Sequence, residues 1–160
     1  MPIDRPSVQV AVVMEREARP NRWEEWRFRV AEVALQQVEF GAEPRVLRDD
    51  GKHCLTLYPG FTLELFKDEG EGYHLNLTSG APVWFVMWRI DEDDASRAWP
   101  ESVSVSYNEA GRWLDAQEKV DNVPLPGEVL AWLQAFTDEH YRPEVKQRRR
   151  PQSFLPPKDR

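Results

Sequence analysis

The groups in this 160-residue chain that could do chemistry are three histidines, one cysteine and 28 carboxylates. Zinc and iron–sulfur centres need clustered thiolate or imidazole ligands. Here His53, His74 and His140 are far apart, and Cys54 is alone. No C-x-x-C, H-x-x-x-H or H-E-x-x-H occurs, so no metal site is expected. His53 and Cys54 are neighbours on a predicted strand and therefore point to opposite faces. Cys54 is expected to fill a small space in the core. A phosphate loop needs closely spaced glycines before a helix, but Gly70 and Gly72 lie in the acidic run Asp68-Glu69-Gly70-Glu71-Gly72. Gly-x-Ser-x-Gly is missing, and neither Ser79 nor Ser106 has a base beside it in sequence, which leaves a serine nucleophile without activation. No catalytic residue and no cofactor is expected on these grounds.

Two polar sets are better candidates for binding. Tyr73-His74-Leu75-Asn76-Leu77 alternates apolar and polar residues, as does Phe61-Thr62-Leu63-Glu64-Leu65. Read as paired strands, the leucines face the core and Glu64, His74 and Asn76 share the opposite surface. That surface is an ordinary solvated face or a recognition patch. Glu64 and His74 would be the first acid–base candidates of any unrecognised enzyme. Asn21-Arg22-Trp23 with Trp26 forms the second set, since Trp and Arg are enriched in binding hot spots; a Trp plugging the end of a barrel is the plainer reading. Arg89 ends the apolar run Val83–Trp88 and reads as a buried ion-pair partner or a ligand clamp.

The elements that must position these groups are mostly strands. Val8–Val13 and Trp26–Val30 carry strand patterns, and the apolar phase then shifts, which predicts a bulge or strand end near Ala31. Asp49-Asp50-Gly51-Lys52 predicts a hairpin turn between 45–48 and 53–57. Pro59-Gly60 predicts a break before 61–65, and 73–77 and 103–106 read as further strands. Val83–Trp88 is apolar without alternation, as in a central strand covered on both faces. Ser106-Tyr107-Asn108-Glu109 is a capping-box pattern, so a short helix should follow and bury Ala110, Trp113 and Leu114. Val129, Trp132, Leu133 and Phe136 make a helical stripe between Pro126 and Pro143. The fold class expected is mainly β (α+β): an antiparallel barrel or sandwich of seven to eight short strands with two C-terminal helices.

The length suits one domain, here 1–141, and 41% apolar residues with seven Trp and seven Phe can build a core. From Arg142 to Arg160 there are seven basic residues against two acidic ones, a net +5. Because the whole chain carries −7, residues before Arg142 carry −12. The expectation is an acidic body, with 142–160 a basic, proline-containing flexible tail. An acidic body argues against nucleic acid as partner. No run approaches the roughly 20 apolar residues that span a bilayer, no secretory signal is visible, and a single cysteine forms no internal disulfide. A cytoplasmic location is expected.

Asn21-Arg22-Trp23 with Trp26, Phe61–Leu65, Tyr73–Leu77, Trp88-Arg89, Val105–Ala110, Val123-Pro124-Leu125-Pro126 and His140-Tyr141-Arg142-Pro143-Glu144 together resemble a bacterial domain family of unknown function. The resemblance runs over residues 7 to 150. Genes of that family sit beside those of molybdenum-dependent formate dehydrogenase, a ferredoxin-like protein and a chaperone of the molybdoenzyme type. It thus implies a non-catalytic accessory or assembly protein that works through protein–protein contacts, with the molybdoenzyme or its maturation factors as partner. Some members are labelled molybdopterin-guanine dinucleotide biosynthesis protein A. A nucleotidyltransferase of that kind needs a glycine-rich nucleotide loop and an α/β sheet, and this sequence offers neither. The alternative is a β-barrel that binds a small ligand or a cofactor precursor.

Overall fold

The computed structural model describes residues 6–19 and 25–143. Among these residues, seven strands form two antiparallel sheets. β1 (Ser7–Ala18), β2 (Trp26–Leu35), β3 (Arg45–Asp49) and β4 (His53–Glu64) make the first, in the order β2-β1-β4-β3. β5 (Val83–Ile90), β6 (Ala98–Ser104) and β7 (Lys119–Pro124) make the second, in the order β6-β5-β7. Three α-helices accompany them among the described residues: α1 (Gly70–Leu77), α2 (Tyr107–Asp115) and α3 (Gly127–His140). The mainly β class holds, in its sandwich form; the strands close no barrel among the described residues.

The core lies between the sheets. Val10, Val12, Met14, Val30 and Leu63 meet Trp84, Val86 and Trp88, and Tyr73, Val129 and Leu133 of the helices complete the cluster. Ala11, Val13 and Leu57 form a smaller cluster on the other face of the first sheet, so the middle of β1 is buried on both sides. In β5, residues 84–88 are all buried, as expected for a central apolar strand. Hydrogen bonds that tie the sheets include that of the Val30 amide to Asp121 Oδ2 at 2.8 Å and that of the Tyr58 hydroxyl to the Ala98 carbonyl at 3.1 Å.

Several local expectations hold. Val13 pairs with Glu32 and Met14 with Val30, which leaves Ala31 as the extra residue of a bulge. Asp50 closes the β3–β4 turn by accepting from the Lys52 and His53 amides. These bonds favour its charged form and hold its carboxyl below the usual carboxylate range. Ser106 caps α2 by accepting from the Glu109 amide at 3.2 Å. Val129, Trp132 and Leu133 are buried along α3, with Phe136 packed beside them.

Other expectations are corrected. Residues 73–77 are a helix, not a strand. Their alternation also fits a helical spacing, in which Tyr73 and Asn76 turn inward and Leu75 is 38% exposed. Asp68, Glu69 and Glu71 stand at the N-terminus of this helix, where the backbone dipole favours negative charge. Pro59-Gly60 does not end a strand. Gly60 takes φ +91° and the β1–β4 register shifts between Val10 and Val12, so β4 bends and continues. Residues 119–124 form a strand that the sequence reading leaves unassigned. Leu114 is 58% exposed rather than buried. Cys54 is half-buried, not a core residue.

Candidate functional site

A cavity lies between the sheets, where the outer stretch of β4 meets β6. Its volume is about 560 Å³. Two facts of topology create it. β3 pairs with β4 only over residues 54–57, so no described strand covers that edge of β4 at Phe61–Glu64. Among the described residues, β6 is the outermost strand of its sheet, bonded to β5 alone. The cleft is thus lined by two open strand edges, Phe61–Glu64 and Glu101–Ser104. Leu63, Val103 and the Tyr73 ring provide apolar surface, and Phe61, Phe66 and Trp113 add aromatic surface.

Five carboxylates join that lining: Glu64, Asp68, Glu69, Glu101 and Glu109. Glu69 is held in place, accepting from the Ser106 hydroxyl at 2.5 Å and from Arg112 Nη2 at 2.6 Å. Glu101 accepts from the Trp99 indole at 3.0 Å and lies 3.8 Å from Arg89. Glu64, Asp68 and Glu109 have no ion-pair partner among the described residues. The Tyr73 hydroxyl accepts from the Phe66 amide at 2.9 Å, and burial pushes its phenol up to about 12. The close approach of α1 to α2 depends on Gly72, where a Cβ would stand 2.1 Å from Ser106 Oγ. The arrangement offers cation-binding charge, aromatic faces and unpaired strand backbone in one groove.

The sequence model of DUF3305, a protein of unknown function, matches residues 9–150. The chain belongs to this family. The match runs from β1 past α3 and so includes both sheets and every residue of the cleft. No curated protein and no solved structure matches the chain. The expectation of an uncharacterised domain family therefore stands as DUF3305 membership.

The DUF3305 fold disperses the residues singled out from sequence. Glu64 ends β4 and lines the cleft. His74 lies on α1 with its ring 5.4 Å from Tyr141. Asn76 is 1% exposed and turned inward, where its amide bonds Val83 and Val105. The shared surface of Glu64, His74 and Asn76 is thus corrected, because α1 is a helix, and Glu64 and His74 make no hydrogen bond or ion pair to each other among the described residues. Arg89 is not buried. It is exposed and makes a two-pronged ion pair with Glu118 at 3.0 and 3.2 Å. Trp26 is half-buried with the Arg16 guanidinium 4.6 Å over its ring. Asn21, Arg22 and Trp23 lie outside the described residues, as does the tail beyond Pro143.

A second, smaller cavity of about 210 Å³ lies beside Arg16, with Cys54, Tyr58, Arg97 and Trp99 in its walls. Arg16 Nη1 donates to the Ser96 carbonyl at 3.0 Å, while its buried Nε has no acceptor among the described residues. Glu15, Glu17 and His53 lie near enough to share an ion, but Arg29 and Arg19 already pair with the two carboxylates. The sequence reading missed Asp68, Glu69, Glu101 and Glu109 as one group. Only the Ser106–Glu109 capping pattern and the acidic turn at 68–72 marked two of the segments that the fold brings together.

Proposed function

We propose that this DUF3305 chain is a non-catalytic accessory protein that works through protein–protein contacts, with the inter-sheet cleft as its contact site. One observation supports this reading above the others. Among the described residues, the cleft joins three carboxylates without ion pairs to aromatic surface and open strand edges, the ingredients with which a protein holds a peptide segment. The resemblance described above supports the choice of system, a formate dehydrogenase-type molybdoenzyme or its maturation factors. The test is recovery of partners with an N-terminally tagged protein from its own host, grown while formate dehydrogenase is made. The dehydrogenase or a maturation factor should co-purify, and Glu64→Lys with Glu109→Lys should abolish it. Equal recovery with that double variant would remove the cleft from the reading, and recovery of no protein would remove the accessory role.

A second reading, small-ligand binding, is supported by the pocket beside Arg16, whose buried Nε has no acceptor among the described residues. Native mass spectrometry of the purified protein tests it. A bound small molecule lost in Arg16→Met is the expected result, and a bare chain mass counts against it.

A further inference from the structure

Resting on the cleft as the contact site, we infer that its occupant is an extended, basic segment of a partner protein that binds by strand addition, set between β4 and β6 as a shared new strand. A strand edge carries a row of amide and carbonyl groups that need partners. In this fold, two such edges line one groove. The stretches along the groove are Phe61–Glu64 and Glu101–Ser104, about 13 Å each at the usual rise, with Glu101 the extra residue of a bulge against β5 and Ser102–Ser104 the regular part of the β6 edge. A peptide between them has an acceptor or donor for every amide and carbonyl it brings, alternately to one side and the other. A peptide on a single edge, or a helix in the groove, satisfies none or half of these groups.

Side chains then select the sequence. Leu63 and Val103 belong to the core packing and give the groove an apolar floor. Glu64, Asp68 and Glu109 are carboxylates without ion pairs among the described residues. Successive residues of a strand point to opposite faces. The segment that fits therefore alternates apolar residues, facing the floor, with Lys or Arg facing the carboxylates. An acidic segment, or a second copy of the acidic body of this chain, is repelled.

The test uses the full chain and a labelled, capped eight-residue peptide alternating Arg and Val, with fluorescence anisotropy as the readout. Saturable binding is expected that weakens with salt and falls at least tenfold in Glu64→Lys with Glu109→Lys. N-methylation of alternate residues keeps every charge but removes the amide hydrogens facing one edge. It should also weaken binding at least tenfold. Equal binding of the N-methylated peptide overturns strand addition while leaving the acidic cleft as a contact site. Failure of the peptide to bind at all overturns the inference, and partner recovery from the host then judges the broader reading separately. Binding that appears only after truncation at Tyr141 overturns an external partner, since the chain's own basic end is then the occupant.

Discussion

Asn76→Ala and Leu75→Ala, made as a pair, separate the helix at 70–77 from the strand that its alternation suggests. In the helix, Asn76 is 1% exposed and holds three segments together. Its Nδ2 donates to the Val83 carbonyl at 2.8 Å and to the Val105 carbonyl at 2.9 Å, and its Oδ1 accepts from the Val83 amide at 3.0 Å. Alanine removes all three bonds and leaves three backbone groups without partners. At about 1 kcal/mol for each lost bond, and more where the orphaned group is buried, the loss is about 4 kcal/mol. With a urea slope of about 2 kcal/mol/M, the midpoint should fall by about 2 M. Leu75 is 38% exposed on the other side of the helix, so its truncation should cost less than about 1 kcal/mol. A strand would reverse the order, with Leu75 in the core and Asn76 in solvent, where substitutions stay within about 0.5 kcal/mol. Urea unfolding followed by tryptophan fluorescence measures both. A loss below about 1 kcal/mol for Asn76→Ala, or a larger loss for Leu75→Ala, refutes the helix and the core network built on it.

Gly72→Ala should cost about 2 kcal/mol by thermal unfolding, because its Cβ falls 2.1 Å from Ser106 Oγ. Ser106→Ala alone should cost about 1 kcal/mol as a lost helix cap, and the double variant should cost less than the sum, since removing Oγ relieves the clash. For Tyr73, the folded phenol lies near 12 against an ordinary value of 10. The unfolded chain therefore loses that proton first, and the stabilisation, whole below pH 10, is lost as pH rises toward 12. The loss amounts to roughly 3 kcal/mol, and Tyr73→Phe should flatten this part of the stability–pH curve measured by urea unfolding. Arg89→Ala breaks an exposed pair with Glu118 and should leave the unfolding midpoint unchanged within error.

How far the sequence reveals this fold depends on whether a local pattern admits one period or two. The bulge at Ala31 is legible because the apolar phase flips there, and only an extra residue keeps Val30 and Val33 both facing inward. The stripe of α3 is legible because four apolar residues recur over three turns. By contrast, Tyr73–Leu77 is five residues long, too short to distinguish period two from a helical turn, and the buried Asn76 breaks the rule that polar residues face water. Lys119–Pro124 has no apolar run and pairs with β5 along one side only, so nothing local announces it. The cleft was the least legible part. Glu64, Asp68, Glu101 and Glu109 come from separate elements, and carboxylates are too common in this chain for any one to stand out. Their association is a product of where β3 stops and where β6 sits at the sheet margin.

Open strand edges are usually a hazard, because identical chains can pair along them. Folds protect such edges with charge, and here the charge has one sign. A second copy approaching the groove brings an acidic body against Glu64, Asp68 and Glu109, so like charges oppose self-pairing where two edges lie open. The same carboxylates leave the backbone free for a strand of opposite charge. One feature therefore excludes the chain's own kind and admits a basic segment. Neutralising it should do both things at once. Glu64→Gln with Asp68→Asn and Glu109→Gln should weaken capture of the Arg–Val peptide and raise the tendency of the protein to self-associate in analytical ultracentrifugation. A triple variant that loses the peptide but stays as monodisperse as the parent would show that the carboxylates recognise without protecting, and would refute the protective half of the argument.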